Sequence, residues 1–135
     1  MQMTVVTGHG CVLTANPGGW AGLTQSFAMH EASVPILDIS SMSTTGGRAK
    51  MAGDLIDAGA ITTTCFLEDE DVEPVPGDAG TLTVTNALGA ATTAANFSGQ
   101  AILSRVAWGS RETDVVQTLE IEYTWNGAPT YTVAT

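Results

Sequence analysis

From residue 115 to residue 125 the side chains alternate in character. Val115, Leu119, Ile121, Tyr123 and Trp125 share one face, with Gln117 the single polar interruption, while Val116, Thr118, Glu120, Glu122 and Thr124 share the other. Successive side chains of an extended strand point to opposite faces, whereas a helix groups residues three and four apart. The pattern therefore predicts an antiparallel strand, buried on one face and wet and acidic on the other. Asn126-Gly127 comes directly after it. Both residues tolerate positive φ, so the pair predicts a tight hairpin with residues 130–133 returning as the partner strand.

The same period recurs along the chain. Ile102, Val106 and Trp108 line one side of residues 100–108, and Ile61, Thr63, Cys65 and Leu67 alternate with Thr62, Thr64 and Phe66. Leu82 and Val84 point inward from residues 81–85, and Leu37 with Ile39 marks a further strand. Residues 11–13 and 23–29 give weaker strand patterns around the turn Asn16-Pro17-Gly18-Gly19. Residues 87–95 read as a loop because Gly89 and the Thr92-Thr93 pair oppose a helix. About seven or eight short antiparallel strands separated by turns describe a mainly β fold, a small sandwich or barrel forming one domain.

One connection does not fit a simple hairpin. The excursion between the strands near Leu37 and Leu67 far exceeds the usual loop of about two to five residues. It carries Ser43, Thr44, Thr45, Gly46 and Gly47, then Arg48 and Lys50, which are half of the chain's 4 basic residues. Met51, Ala52, Leu55 and Ile56 have the spacing of one helix face, with Gly59 as a stop, which predicts a short helical turn. Long loops on rigid small domains commonly touch another molecule. On an otherwise acidic chain, two cations beside Met51, Leu55 and Ile56 suit docking on an acidic face of an identical neighbour.

Charge narrows the function classes. The chain has 14 acidic residues against 4 basic ones, with no Lys or Arg between residues 51 and 104. A protein that wraps nucleic acid needs cations to neutralise phosphates, so the chain is a poor candidate for ordinary DNA binding. Charged residues are only 13% of the chain, which implies a surface partly covered in an oligomer. Cys11 and Cys65 offer neither metal spacing nor a disulfide framework and are expected to be reduced, Cys65 as a small hydrophobe within its strand. The N-terminus lacks a basic region followed by an apolar run, and no stretch is apolar enough to span a bilayer, so folding in a cytoplasm without membrane insertion is expected.

No catalytic constellation emerges. His9 and His30 have no placed nucleophile or acid and read as loop histidines. Glu68, Asp69, Glu70 and Asp71, with Glu73 and Asp78 beyond, concentrate carboxylates without the spacing of a calcium loop, and Pro74 and Pro76 extend the segment. Glu120 and Glu122, two apart on one strand face, read as its wet side rather than as a glycosidase pair. Neither cofactor nor metal is expected. A carbohydrate-binding or adhesion module would use Trp20, Trp108 or Trp125 as a platform, but Trp125 lies on the apolar strand face and reads as core.

Two short motifs flank the excursion: Asp38-Ile39-Ser40 before it and Asp57-Ala58-Gly59-Ala60-Ile61-Thr62 after it. Together with residues 97–106, Asp114-Val115-Val116, residues 118–123 and Asn126-Gly127-Ala128-Pro129, in that order, they resemble the major tail tube proteins of tailed bacteriophages. The resemblance covers roughly the last hundred residues. It implies a non-enzymatic virion protein assembled in the host cytoplasm, a β-sandwich whose copies form hexameric rings stacked into a hollow tube. It further implies that the long loop, from Ser43 through Ile56, reaches a neighbouring copy, and that other tail proteins bind at the tube ends. DNA would be transient cargo in an acidic lumen, with Glu120 and Glu122 candidates for the lining and Glu68, Asp69, Glu70 and Asp71 for a ring face. Another ring protein of a tail or injection machine is the related alternative. Many family members carry an outer helix where this chain has only the acidic, proline-containing loop.

Overall fold

Ile61, Leu82, Val84, Ala101, Leu103, Leu119, Ile121 and Tyr123 have essentially no exposed surface and meet in one cluster. The computed structural model describes residues 11–15, 17, 23–66, 73–86 and 93–135. Their strands are β1 (Val12–Ala15), β2 (Leu23–Ala28), β3 (Ile36–Asp38), β4 (Lys50–Ala52), β5 (Ala60–Phe66), β6 (Ala79–Thr85), β7 (Asn96–Trp108), β8 (Thr118–Trp125) and β9 (Thr130–Thr132). Seven of them form an antiparallel sheet in the order β1-β6-β7-β8-β5-β2, with β9 also on β7. The edge strands contribute Leu13 and Phe27 to the same cluster, so the sheet curls on itself into a nearly closed barrel. The expected mainly β class is what forms, and the inward positions of β5, β6 and β8 are those given by the alternation: Ile61, Thr63 and Cys65, Leu82 and Val84, then Leu119, Ile121, Tyr123 and Trp125.

Three expectations fail for reasons of register. Ser104 is an extra residue in β7, since Leu103 pairs with Tyr123 and Arg105 with Glu122. One inserted residue exchanges the inner and outer faces of the strand beyond it. Ala101 and Leu103 are therefore inside and Ile102 is exposed, while Val106 beyond the bulge packs against the core. Asn126-Gly127 does not make a hairpin either. β9 pairs with the first part of β7 and β8 with the last, both antiparallel, so β9 runs on in line with β8. The turn residues serve a bulge in a continuing strand, where the Asn126 N–H donates to the Gln100 carbonyl at 2.9 Å. Lastly, β8 starts at Thr118, which leaves Val115 in an exposed loop and not on the buried face.

Gly99 shows how tightly the inner face is filled. A Cβ there would lie 3.2 Å from the Trp125 ring and 3.1 Å from Pro129 Cα. The missing side chain lets the indole lie over β7, and Trp125 is 6% exposed, which ends its candidacy as a binding platform. His30, just past β2, stands edge-on to Phe97 at 5.0 Å and to Trp125 at 5.7 Å between ring centres. It lies in a loop as expected but is half-buried, and its Nδ1 and Trp125 Nε1 lack hydrogen-bond partners among the described residues.

Candidate functional site

β2 and β5 pair antiparallel, with Ala28 opposite Thr62, and the pairing resumes beyond the barrel where Ser33 and Asp57 exchange two backbone hydrogen bonds of 2.8 Å. It then continues as β3 on β4, with Ile36 opposite Ala52, Leu37 opposite Met51 and Asp38 opposite Lys50. The excursion is thus an arm, the outer half of one long hairpin whose inner half is part of the barrel. The expected helical turn is absent: Met51 and Ala52 are in β4. Residues 53–56 on the return leg stand opposite residues 34–35 on the outgoing one. The two surplus residues explain the misleading spacing, because they push Leu55 and Ile56 outward, Leu55 to 82% exposure. The strand expected at Leu37 and Ile39 likewise belongs to the arm and not to the main sheet.

Both flanking motifs are local hydrogen-bonded turns. Asp38 Oδ1 accepts the Ser40 N–H and Asp57 Oδ1 accepts the Gly59 N–H, each at 2.9 Å, and Gly59 takes φ +76°. Short polar side chains bond readily to the backbone two residues on, which is why such residues punctuate strands. Ser40 Oγ also accepts the Ala49 N–H at 2.7 Å, clamping the arm's neck. At the tip, Thr44 Oγ1 accepts the Ser41 N–H at 2.9 Å and the Thr44 N–H donates to the Ser41 carbonyl at 3.0 Å. Ser43 bonds to Ser41 through their hydroxyls, and Thr45, Gly46 and Gly47 are exposed.

The arm bears apolar residues on both faces. Pairing places Leu37 and Met51 on one face with Ile39 two residues along, and on the other Asp38 and Lys50 beside Ala52 and the exposed Ile36. Leu37 and Met51 remain 47% and 46% exposed, and Ile39 is exposed too. Arg48 Nη1 lies 2.5 Å from Asp38 Oδ2, so this cation is balanced within its own arm. The Ser40 N–H and then Arg48 hold the Asp38 carboxyl below its ordinary pKa. Lys50 has no ion pair among the described residues. A two-stranded ribbon alone in water is marginal, and a bare apolar stripe on it calls for a covering surface.

The second region is the outer face of β5, β8 and β7. Thr62 stands opposite Glu122 and Thr64 opposite Glu120, with Thr118 and Thr124 at the ends. Arg105 is ion-paired with Glu120, which raises the guanidinium's pKa. Ser104 Oγ donates to Glu122 Oε1 at 3.1 Å. The face is more hydroxyl than carboxylate, because one of its two acids carries its own counter-ion. Inside the barrel, burial and then the neighbouring Cys65 push the Tyr123 phenol well above its ordinary pKa. Glu68, Asp69, Glu70, Asp71, His9 and Trp20 lie outside the described residues. Among those described, no three His, Cys, Asp or Glu side chains are grouped to hold a metal ion, and no helix is long and apolar enough to cross a membrane.

No protein-family model matches the sequence, and no curated protein matches it. The fold has a solved counterpart: a chain in the six-fold symmetrised cryo-electron microscopy structure of the anti-feeding prophage baseplate. The TM-score is 0.71 over 98% of both chains, at 8% sequence identity. The likeness is one of fold, extending over almost the whole of each chain.

Proposed function

We propose that this chain is a structural, non-enzymatic subunit of a phage-tail-like tube, polymerising through its arm. The observation that carries this reading is the arm itself, a two-stranded ribbon with an uncovered apolar stripe projecting from an otherwise well-packed barrel. Such a ribbon has physical use when another copy covers it. Head-to-tail contacts of this kind close into rings or extend into filaments, whereas two-fold self-contacts would end in dimers. The shared fold with a baseplate chain of an injection machine, and the resemblance of the flanking motifs to tail tube proteins, support the same conclusion.

In this reading the subunits form stacked rings, hexameric as the tail-tube resemblance implies, and the threonine and glutamate face of β5 and β8 lines the bore. Arg105 is tied to Glu120 and Glu122 adds negative charge, so the face offers phosphate no unpaired cation, which suits DNA passing as cargo. The residues from Ser43 to Ile56 make the contact between copies. Leu37, Ile39 and Met51 supply the apolar area, Leu55 and Ile56 the outward bulge, and Lys50 a cation without an ion pair among the described residues. A second reading is favoured by the baseplate match: a ring protein at the end of a contractile machine, adjoining other tail proteins, instead of the repeating tube subunit. Unlimited polymerisation supports the first, and a single ring or short stack the second.

Deleting residues 46–54 tests the arm's part in either. The expected product is a folded monomer that keeps the barrel's β-type far-ultraviolet circular dichroism and cooperative unfolding, without the arm's small strand contribution, and shows no rings or tubes by electron microscopy. Tubes from the deleted chain would refute the docking role.

A further inference from the structure

We infer that Asn126 is a site of covalent modification in the folded chain: it loses its side-chain nitrogen as ammonia after attack by the Gly127 backbone nitrogen, and the product unseats β9. The inference is independent of the tube reading and rests on the joint between β8 and β9. The chain holds asparagine at positions 16, 86, 96 and 126, and only the last precedes glycine. The carbonyl carbon of an asparagine side chain lies within reach of the next residue's amide nitrogen, and glycine, lacking a Cβ, leaves that nitrogen least crowded. Asn16 precedes a proline, which has no N–H to lose. Asn96 precedes Phe97 and is held inside β7 between Thr85 and Thr132.

The structure leaves this pair able to react. The pairing of β8 with β7 ends at Trp125 and that of β9 begins at Thr130, so Asn126 and Gly127 stand outside the ladder, and both are exposed. Among the described residues, neither the Gly127 N–H nor the Asn126 carboxamide has a hydrogen-bond partner. The Asn126 N–H does have one, donating to the Gln100 carbonyl at 2.9 Å, so the residue is anchored while its side chain is not. Gly127 takes φ +86°, with nothing within 4 Å of the place a Cβ would occupy.

In the reaction the Gly127 amide gives its proton to solvent and its nitrogen bonds to Asn126 Cγ. The bond from Cγ to Nδ2 breaks, and that nitrogen takes protons from solvent and departs as ammonia, leaving a five-membered succinimide. Water then opens the ring. Attack at Cγ restores the main chain with an aspartate side chain. Attack at the main-chain carbonyl gives isoaspartate, in which the chain runs through Cγ and gains one methylene. The net change is water in, ammonia out and one new carboxylate.

The extra methylene falls between two fixed points. On one side the Trp125 ring packs in the core cluster at 6% exposure. On the other, Pro129 lies against β7, its Cα 3.1 Å from where a Cβ on Gly99 would stand. A longer main chain between them pushes on the element held least firmly. That is β9, exposed along its whole length and paired, among the described residues, with β7 alone through Thr130 on Ser98, Tyr131 on Phe97 and Thr132 on Asn96. An edge strand with little buried surface opens at low cost in free energy.

The test holds the full-length chain folded at mildly alkaline pH and follows its proteolytic peptides by mass spectrometry over time. The peptide containing residue 126 should gain the mass difference between an amide and an acid, while those containing Asn86 and Asn96 stay unchanged. The rate should fall no more than about tenfold below that of the same chain in urea, because a joint outside the ladder needs little local opening. The Asn126→Ser chain should show no conversion. Modification confined to the urea-unfolded chain would overturn the site. The isoaspartate fraction, separated by chromatography, is then compared by hydrogen exchange with freshly prepared Asn126→Asp, which bears the same charge on an ordinary main chain. Amides of residues 130–132 should exchange about tenfold or more faster in the isoaspartate fraction. Equal protection in the two would overturn the displacement of β9.

Discussion

Replacing Leu37 and Met51 together by threonine separates assembly from folding. The two side chains face each other across the arm and keep 47% and 46% of their surface exposed in the isolated chain. Fully burying a leucine or methionine is worth about 1.5–3 kcal/mol, so docking has about 1 kcal/mol to gain from each. Losing both costs about 2 kcal/mol per contact, which raises the critical concentration for assembly roughly 30-fold. Threonine keeps the β preference of the arm. Neither residue belongs to the core cluster, so the monomer's midpoint in urea should hardly move. Leu103→Ala, which empties a fully buried position, should by contrast cost about 2–5 kcal/mol in the same titration. Pelleting assays across a concentration series, paired with urea unfolding of each variant, measure both quantities. An unchanged critical concentration would refute the arm as the adhesive element, and a large loss of monomer stability would show it to be part of the core.

Two further outcomes concern the arm's root and neck. Gly59→Ala should destabilise the monomer by about 2–3 kcal/mol in urea, since φ +76° disfavours an L residue and the new Cβ would lie 2.6 Å from the Glu31 carbonyl oxygen. Gly46→Ala, with φ +83° but open space, should cost no more than about 1–2 kcal/mol, and equal losses would contradict the crowding at the root. Asp38 titrates lower in the folded chain than in the unfolded one, so its link across the arm is complete above about pH 4 and is lost as pH falls through the folded value. Side-chain carbon NMR should show Arg48→Gln raising that midpoint only in part, because the Ser40 N–H is the larger cause. Full return to the ordinary carboxylate value would contradict the turn.

Much of the barrel was legible because β5, β6 and β8 alternate without interruption, and a strand with one face in the core cannot slip by one residue. β7 was not, since the bulge at Ser104 leaves no mark in composition yet reverses every later side chain. Asn126-Gly127 is a local preference for positive φ, and only the partner strand decides whether the chain turns back or runs on. The arm's existence showed in its length, but its build did not. A β-strand followed by a two-residue surplus imitates helical spacing at Met51, Ala52, Leu55 and Ile56. Arg48 looked like a free docking cation because its partner, Asp38, lies ten residues away across the ribbon. Val115 and Val116 were assigned to the two faces of a strand that begins only at Thr118.

Electron microscopy of the purified, concentrated chain tests the central claim most directly. Self-association through the arm predicts rings or hollow tubes of uniform diameter from this protein alone, in equilibrium with monomer on dilution. A species that stays strictly monomeric at every concentration up to precipitation would contradict it.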